Sequence, residues 1–373
     1  MPRTGATRRR ATLATLAASL KVSRTTVSNA YNRPDQLSPA LRERVLREAA
    51  RLGYPGPDPV ARSLRTRKAG AVGLLLTEAL SYAFRDPAAV GFLAGLSEAC
   101  ESAAQGLFLV PAHPGRDRVD ASQAVLRAGV DGFVVYSVAQ DDPYLAAVLQ
   151  RPVPTVICDQ PMGLSGVDRV GIDDRAAMRD LGAHLIGLGH TRFAVLCLRL
   201  GRDRNDGPAA PRRWQQARFH VQRERIAGLA DALAAAGLDL AGMPVIERFD
   251  NLLEQGQSAA AEALTADPSI TALVCTTDVL ALGALAQARG RGIDVPGQLS
   301  VTGFDGVPQA LAEGLTTVRQ PVEDKGRTAG RLLLEPIDPG TGRAGPRTVV
   351  LPTQFELGRT CSSPQPPTWF SGV

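Results

Sequence analysis

Two different spacings of apolar residues divide this chain of 373 residues. Between Thr12 and Gly53 apolar residues return every three or four positions, which predicts three short helices. From Ala71 onward they form short unbroken runs separated by longer helical stretches. Continuous apolar strands between helices are typical of parallel sheets covered on both faces. The pattern therefore predicts an all-α head followed by an α/β body with two doubly wound parallel-sheet subdomains.

Each of the three head helices has a recognisable start. Thr12 and Ser23 stand where side-chain caps of the first two helices are expected. Ser38-Pro39 combines a cap with proline at the first helical position, and Gly53 is expected to end the third helix. Two short helices joined by a tight turn, with a third in support, are the helix-turn-helix layout.

The second helix, expected from Arg24 to about Tyr31, has two unlike faces. Val27 and Ala30 are expected to pack inward. The opposite face is polar and comprises Arg24, Thr25, Ser28 and Asn29. In a helix-turn-helix this helix enters the major groove, where arginine can pair with guanine and asparagine with adenine. The alternative interpretation is a solvated helix face.

Charge is distributed unevenly along the chain. Residues 1–68 carry 15 Lys/Arg against 4 Asp/Glu, whereas the remainder carries 27 against 33. A basic head on an acidic body predicts a polyanionic partner, here double-stranded DNA, for the head alone. Residues 1–11 are expected to be a disordered basic arm. The head as a whole has too much helical patterning to be only a basic tail.

Several classes of protein are disfavoured. There is no run of about 18 apolar residues and no clean signal core, so we expect a cytoplasmic, nucleoid-associated protein without membrane contact. The five scattered cysteines are expected to be mostly buried free thiols. No metal site, cofactor or catalytic residue is expected, because histidines do not cluster and neither a nucleophile elbow nor a phosphate loop occurs. A small-molecule transport-type binding protein is the alternative, which the basic head disfavours.

The segment from Thr12 to Tyr54, TLATLAASLKVSRTTVSNAYNRPDQLSPALRERVLREAARLGY, resembles the head of the lactose-repressor (LacI) family. The residues that match the VSxxTVSxxxN core are Val22, Ser23, Thr26, Val27, Ser28 and Asn32. The resemblance implies base reading by Arg24, Thr25 and Asn29. Thr26 and Ser28 are placed to hold phosphates, and Thr12 and Ser23 complete the predicted DNA-binding set.

The linker from Tyr54 to Lys68 begins with three closely spaced prolines, which exclude regular structure there. Residues 60–65 can then form one short helix. In the family such a hinge helix inserts a leucine into the minor groove, and Leu64 is the matching residue. The linker is one residue longer than the family pattern, and Pro57-Asp58 replaces its asparagine. A plain flexible linker is the alternative.

The body resembles the same family at Gly187–His190, Val295–Gly306 and Leu315–Pro321. The resemblance implies two subdomains of periplasmic-binding-protein type joined by crossovers near Gly171, Arg319 and residue 345. The N-subdomain would span about 70–171 and 320–345, the C-subdomain about 172–319 and 346–359, and 360–373 would be a disordered tail. The family further implies a homodimeric repressor on a palindromic operator, controlled by a sugar or related effector in the cleft.

Candidate effector-binding residues follow predicted strands or match family positions. Asp305, at a strand end, could accept two sugar hydroxyls, or could simply form a turn. Arg225 is expected to begin a helix, where it either binds the effector or is an exposed charge. The remaining candidates are Tyr82, Phe84, Asp159, Asn251 and Thr277. Asp278 is expected to cap a helix, and Arg202–Gln222 to form a surface loop or lid.

Overall fold

The computed structural model describes residues 11–57, 67–76, 83–110, 118–335 and 345–364. These residues fall into two compact units, which divide between Ala69 and Gly70.

The first unit is the predicted three-helix head, with α1 (Leu13–Leu20), α2 (Arg24–Asn32) and α3 (Pro39–Leu52). All three expected caps form. The hydroxyl oxygens of Thr12, Ser23 and Ser38 accept hydrogen bonds from backbone N–H groups three residues later. A short 3₁₀ turn lies between α2 and α3. The helices pack through a fully apolar centre that contains Leu16, Ala17, Val27, Ala30, Val45 and Ala49.

The second unit alternates strands and helices. In chain order its regular elements are β1 (Ala71–Leu76), α4 (Pro87–Ser102), β2 (Gly106–Val110), α5 (Arg118–Arg127), β3 (Gly132–Tyr136), α6 (Pro143–Leu149), β4 (Thr155–Cys158), β5 (Asp168–Gly171), α7 (Asp174–Gly187), β6 (Phe193–Leu198), β7 (Gly207–Pro208), α8 (Pro211–Gln215), α9 (His220–Ala235), β8 (Val245–Arg248), α10 (Leu253–Ala266), β9 (Ala272–Cys275), α11 (Asp278–Gly290), β10 (Ser300–Asp305), α12 (Pro308–Ala312), β11 (Thr316–Arg319), α13 (Val322–Leu334), β12 (Thr348–Val350) and β13 (Gln354–Glu356).

These strands form two sheets, in the orders β12-β5-β4-β3-β1-β2 and β13-β11-β10-β9-β6-β8-β7. The first sheet is parallel throughout. The second is parallel apart from its two edge strands, β13 and β7, which pair antiparallel. The sheet with β1 to β5 and β12 defines the N-subdomain, and the other defines the C-subdomain.

The chain crosses between the subdomains three times, after β5, after β11 and after β12. The third crossing lies at residues 351–353 and not near residue 345 as expected, because β12 still pairs with β5 of the N-subdomain. Three residues paired at a sheet edge carry too weak a pattern to be recognised in the sequence.

Helix α13 returns to the N-subdomain and packs closely against α4. The close approach depends on glycine, since a Cβ atom at Gly95 would collide with the backbone oxygen of Glu323, and one at Gly326 with that of Phe92. This contact holds one side of α13 against α4, while the helix also packs on β3, β4 and β5.

The structure differs from the expected plain surface loop at 202–222 and from the expected disordered tail. The segment 202–222 is not a plain surface loop, because β7 pairs with β8, α8 follows it, and Trp214 is buried in the C-subdomain core. The tail is ordered through Pro364 and not disordered from 360. Thr360 is buried and exchanges backbone and side-chain hydrogen bonds with Val301, and Ser362 bonds to Ser300. Apolar and polar contacts with β10, distant in sequence, outweigh the local Pro/Ser composition.

The state of the cysteines and the length of the helices follow from the described residues. Four of the five cysteines are buried free thiols and Cys361 is half-buried. Within the described ranges, every helix is too short or too polar to pass through a bilayer.

Candidate functional site

The polar face of α2 contains the predicted residues, but only some of their side chains are hydrogen-bonded within the head. Arg24 and Thr25 are exposed. The amide nitrogen of Asn29 donates to Oε1 of Gln36 at 3.0 Å, so the 3₁₀ turn between α2 and α3 holds this side chain. An asparagine held in one orientation can present its remaining hydrogen-bonding groups in a defined direction.

The hydroxyl groups at the helix starts and on α2 are paired locally. Thr12 and Thr15 form a reciprocal capping box, and the hydroxyls of Ser23 and Thr26 lie 2.8 Å apart. The Ser28 hydroxyl lies 3.1 Å from the amide nitrogen of Asn32. These contacts order the starts of α1 and α2 and the last turn of α2. Leu64, the predicted wedge, lies outside the described residues.

In the second unit, polar residues gather where strands of both sheets end. Asp159 follows β4 and Asp305 ends β10. Thr277 and Asn251 follow β9 and β8, respectively, and Gln320 follows β11. Because carboxyl ends of parallel strands share one edge of a sheet, these residues border the space between the subdomains, where ligands of such folds bind.

Arg225 joins the C-subdomain residues of this cleft. Its Nε donates to Asp174 Oδ1 at 2.8 Å, and its Nη1 to the Thr276 carbonyl at 2.5 Å and to Asp305 Oδ1 at 3.4 Å. The guanidinium also lies over the Phe304 ring, 3.6 Å from its centroid. Arg225 was expected to begin its helix, but α9 begins at His220. Arg225 therefore lies in the second turn of α9, where it is only 4% exposed.

Lys325 of α13 joins the residues on the other side. Its Nζ donates to both carboxylate oxygens of Asp159 at 2.8 Å and to Gln320 Oε1 at 2.5 Å. Gln320 Nε2 in turn donates to Asp305 Oδ1 at 2.6 Å. Asp174, Arg225, Asp305, Gln320, Lys325 and Asp159 thus form one continuous run of contacts from the C-subdomain to the N-subdomain. We call it the polar chain.

Asp305 is the member with the most perturbed environment. Burial raises the pKa of its carboxyl group to about 8, which the nearby Arg225 counteracts and the neighbouring carboxylates of Asp278 and Asp86 reinforce. Its backbone has a positive φ of 126°, a conformation that side chains rarely adopt. A strained residue at a strand end, with a carboxyl group that titrates near neutrality, is typical of functional positions.

Three contacts close the cleft on the side of the segment 202–222. Gln160 Oε1 accepts from the backbone N–H of Val221 at 2.9 Å. The Gln140 N–H donates to the Arg218 carbonyl at 3.4 Å, and Arg202 Nη1 donates to the Asp141 carbonyl at 3.2 Å. The segment 202–222, for which a lid was one of the two expected alternatives, therefore contacts the N-subdomain.

Thr277, and not Asp278 as expected, is the cap of α11. The hydroxyl oxygen of Thr277 accepts from Leu280 N at 3.3 Å, and it also donates to Asn251 Oδ1 at 2.7 Å. Asp278 lies inside the helix and is fully buried, where it accepts from Val307 N at 2.8 Å and from the Thr317 hydroxyl at 2.6 Å. Its expected capping role was wrong.

Two aromatic residues, Phe84 and Phe249, lie in segments that follow β1 and β8, respectively. Phe84 is 58% exposed beside α4, whereas Tyr82 lies outside the described residues. At the end of β8, the Phe249 ring lies near the guanidinium groups of Arg199 and Arg204, 5.4 and 5.1 Å from its centroid. Phe249, two residues before Asn251, is therefore an aromatic ring in contact with two arginines, which the sequence did not suggest.

Comparison with known proteins agrees with this architecture. Residues 183–361 match the family model of a periplasmic binding protein-like domain. The chain is 58% identical to an HTH-type transcriptional regulator of Mycobacterium tuberculosis, over 96% of this chain and 98% of the relative. The crystal structure of a LacI-family transcriptional regulator from Corynebacterium glutamicum is 41% identical, with a TM-score of 0.72, and the match covers 93% of this chain and 98% of that one.

The chain belongs to the LacI family of helix-turn-helix transcriptional regulators. A further structure, that of the regulator CelR in complex with cellobiose, is 29% identical, with a TM-score of 0.67, over 94% of this chain and all of that one. The predicted family, the helix-turn-helix head and the periplasmic-binding-protein-like body are thus confirmed.

Within this LacI-family body, the sequence did not reveal Gln320, Lys325 and Asp174 as members of the polar chain. Gln320 directly follows the strand β11, so its position at a strand end was a usable signal. Lys325 had none, because a lysine in the first turns of an amphipathic helix is usually solvated.

Proposed function

We propose that this protein is a repressor that binds a palindromic operator as a homodimer and that an uncharged sugar in the cleft controls its binding to DNA. The main observation in support of this proposal is the polar chain. It joins hydrogen-bonding groups of both subdomains, so a ligand that contacts it can favour one arrangement of the subdomains over another.

Operator reading is assigned to α2. The exposed Arg24 suits a bidentate pair with guanine, Asn29 suits adenine, and Thr25 lies on the same face. Thr12, Ser23, Thr26 and Ser28 are the candidates for backbone phosphates, since hydroxyls and helix starts commonly bind them. Two such heads related by a two-fold axis would match a palindrome.

The charges of the polar chain favour an uncharged ligand. Asp174 pairs with Arg225, and Asp159 pairs with Lys325, so each cation already has a carboxylate partner. Asp305 adds a further carboxyl group at the same place. A phosphate or carboxylate ligand would meet no unpaired cation among the six residues of the polar chain. Sugar hydroxyls, in contrast, can donate to the carboxyl oxygens of the polar chain and accept from its amide and guanidinium groups. The cellobiose complex of the relative CelR supports a sugar.

The DNA half of the proposal is tested with Arg24→Ala on the operator and on random DNA. Loss of a bidentate base contact should cost about 1–3 kcal/mol on the operator and much less on random DNA. Arg47→Ala is the matched control, because Arg47 is an exposed arginine on α3. An equal loss of affinity for both DNAs would remove Arg24 from base reading.

The effector half is tested by thermal denaturation in the presence of cellobiose, other uncharged sugars and sugar phosphates. A ligand of the folded state raises the melting temperature. We expect stabilisation by an uncharged sugar that Asp305→Ala abolishes while operator affinity is kept. Stabilisation by sugar phosphates alone would contradict the proposed class of effector.

A further inference from the structure

Lys325 occupies an unusual position for a lysine. It lies in the second turn of α13, where the neighbouring Gly326 faces α4, and its side chain is only 1% exposed. A buried ammonium group is costly unless it is paired and hydrogen-bonded. All three hydrogen bonds that the structure records for its Nζ are directed at the cleft, to the two oxygens of Asp159 and to Gln320.

These contacts define the orientation of the Gln320 amide. An ammonium group can only donate, so the atom that faces Lys325 must be the amide oxygen. The amide nitrogen then points the other way and donates to Asp305 Oδ1 at 2.6 Å. Without the cation the two ends of the amide are free to exchange, which would place an oxygen against the Asp305 carboxyl group.

We infer that Lys325 is a positioning residue of the effector site, which holds Asp159 directly and Asp305 through the oriented amide of Gln320. The inference rests on the proposal that the cleft binds an effector. It adds that a single buried side chain aligns one carboxyl group of each subdomain.

The position of Gln320 explains why this arrangement spans the two subdomains. Asp159 directly follows a strand of the N-subdomain, Asp305 ends a strand of the C-subdomain, and Gln320 lies in the crossing between β11 and α13. A change in the angle between the subdomains must therefore lengthen or break at least one of the contacts from Lys325 to Asp305. The contacts from Lys325 through Gln320 to Asp305 would therefore favour one arrangement of the subdomains over others.

The test follows the pKa of Asp305 by ¹³C NMR of aspartate carboxyl groups in the full chain, with Asp305→Asn for assignment. Gln320→Leu removes the donor to Asp305, and Lys325→Met removes the cation that orients it. Each should raise the Asp305 pKa by about one to two pH units, because the hydrogen bond that stabilises the ionised carboxyl group is lost. Arg225, Asp278 and Asp86, which also act on Asp305, are unchanged in every variant.

The double variant separates orientation from simple charge. If Lys325 acts through Gln320, Lys325→Met should have almost no further effect once Gln320→Leu is present. If Lys325→Met raised the Asp305 pKa just as much in the Gln320→Leu background, the charge of Lys325 would act on Asp305 directly. That result would overturn the inference. So would an unchanged Asp305 pKa in Lys325→Met alone.

Controls address folding and the remaining charge. Because Lys325→Met leaves Asp159 without its cation, the titration is repeated with Asp159→Asn/Lys325→Met, which removes both charges and should give the same Asp305 result. Lys325→Arg should largely preserve the wild-type pKa. Arg327→Met, which removes a partly exposed cation of the same helix, should not change it. The measurement needs no effector, so failure of the sugar screen and failure of this inference are distinguishable.

Discussion

Gln160 joins the two subdomains through its side chain, whose Oε1 accepts a hydrogen bond from the backbone N–H of Val221 at 2.9 Å. The side chain is 2% exposed, and its Nε2 also donates to the Ser137 hydroxyl at 3.1 Å. Asp159 precedes it in the chain and binds Lys325. One short segment after β4 therefore contacts the polar chain with one residue and the opposite subdomain with the next.

We expect Gln160→Leu to shift the body towards an open cleft. The lost hydrogen bond is worth about 0.5–1.5 kcal/mol, which corresponds to a closed-to-open ratio reduced by about two- to tenfold. Small-angle X-ray scattering should show a larger radius of gyration. Gln140→Leu is the matched control, since its contact with Arg218 uses the backbone and survives the substitution. Equal radii for Gln160→Leu and wild type would contradict the closing role.

Effector affinity is expected to depend on pH through Asp305. Burial raises the pKa of this carboxyl group to about 8, with Arg225 acting in the opposite direction and Asp278 and Asp86 reinforcing the rise. Sugar hydroxyls donate better to the ionised form, which is the minority below this pH. Affinity should therefore increase about tenfold between pH 7 and pH 9, as the competent fraction grows. Isothermal titration calorimetry with Asp305→Asn, which should show no such increase, checks this; a pH-independent wild type would contradict it.

Acid should destabilise the body through His190. Its Nδ1 lies 2.8 Å from the Thr271 hydroxyl and its Nε2 2.9 Å from the Ser362 carbonyl, and burial lowers the pKa of the imidazole below its usual value of 6.5. The unfolded chain binds a proton more readily, so stability is lost as pH falls from about 6.5.

His190→Gln should reduce this loss in urea denaturation measured between pH 7 and pH 5, although it lowers stability at pH 7 by about 1–3 kcal/mol through the broken hydrogen bonds. A part of the pH dependence should remain, because burial also lowers the pKa of His220. A variant that keeps the whole wild-type slope would exclude His190 as its source.

Leu64→Ala should weaken operator binding and reduce DNA bending. A leucine inserted between base pairs stabilises a bent site by contacts that offset an unstacking cost of a few kcal/mol. We expect an operator affinity at least about tenfold lower, or about 1.4 kcal/mol. Gel-shift titration and bending by fluorescence transfer measure both effects, with Val60→Ala as a control in the same linker. Unchanged bending would remove the wedge role.

The head could be predicted almost completely from the sequence. Its helix starts depend on Thr12, Ser23 and Ser38, each of which contacts a backbone N–H only three residues away. Strands such as β1 and β3 were recognisable for a similar reason, since a strand buried on both faces is apolar along its whole length.

Strands with charged residues or very few residues were missed. β5 contains Asp168 and Arg169, and β8 ends in Glu247 and Arg248. The two carboxylates are paired by distant residues, since Asp168 accepts from Arg347 and Glu247 from Arg213. A local hydrophobic pattern cannot reveal such strands, because the partners that make their burial favourable lie elsewhere in the chain.

The sequence by itself determined the helix-turn-helix, the alternating α/β body and the carboxylates at strand ends, because these depend on local periodicity and on capping. Only the tertiary structure decided that Lys325 and Asp159, 166 residues apart, form an ion pair and that Gln320 connects them to Asp305. A lysine and an aspartate are ordinarily solvated surface residues. Their pairing becomes favourable only once the fold has removed both from water and brought them within hydrogen-bonding distance.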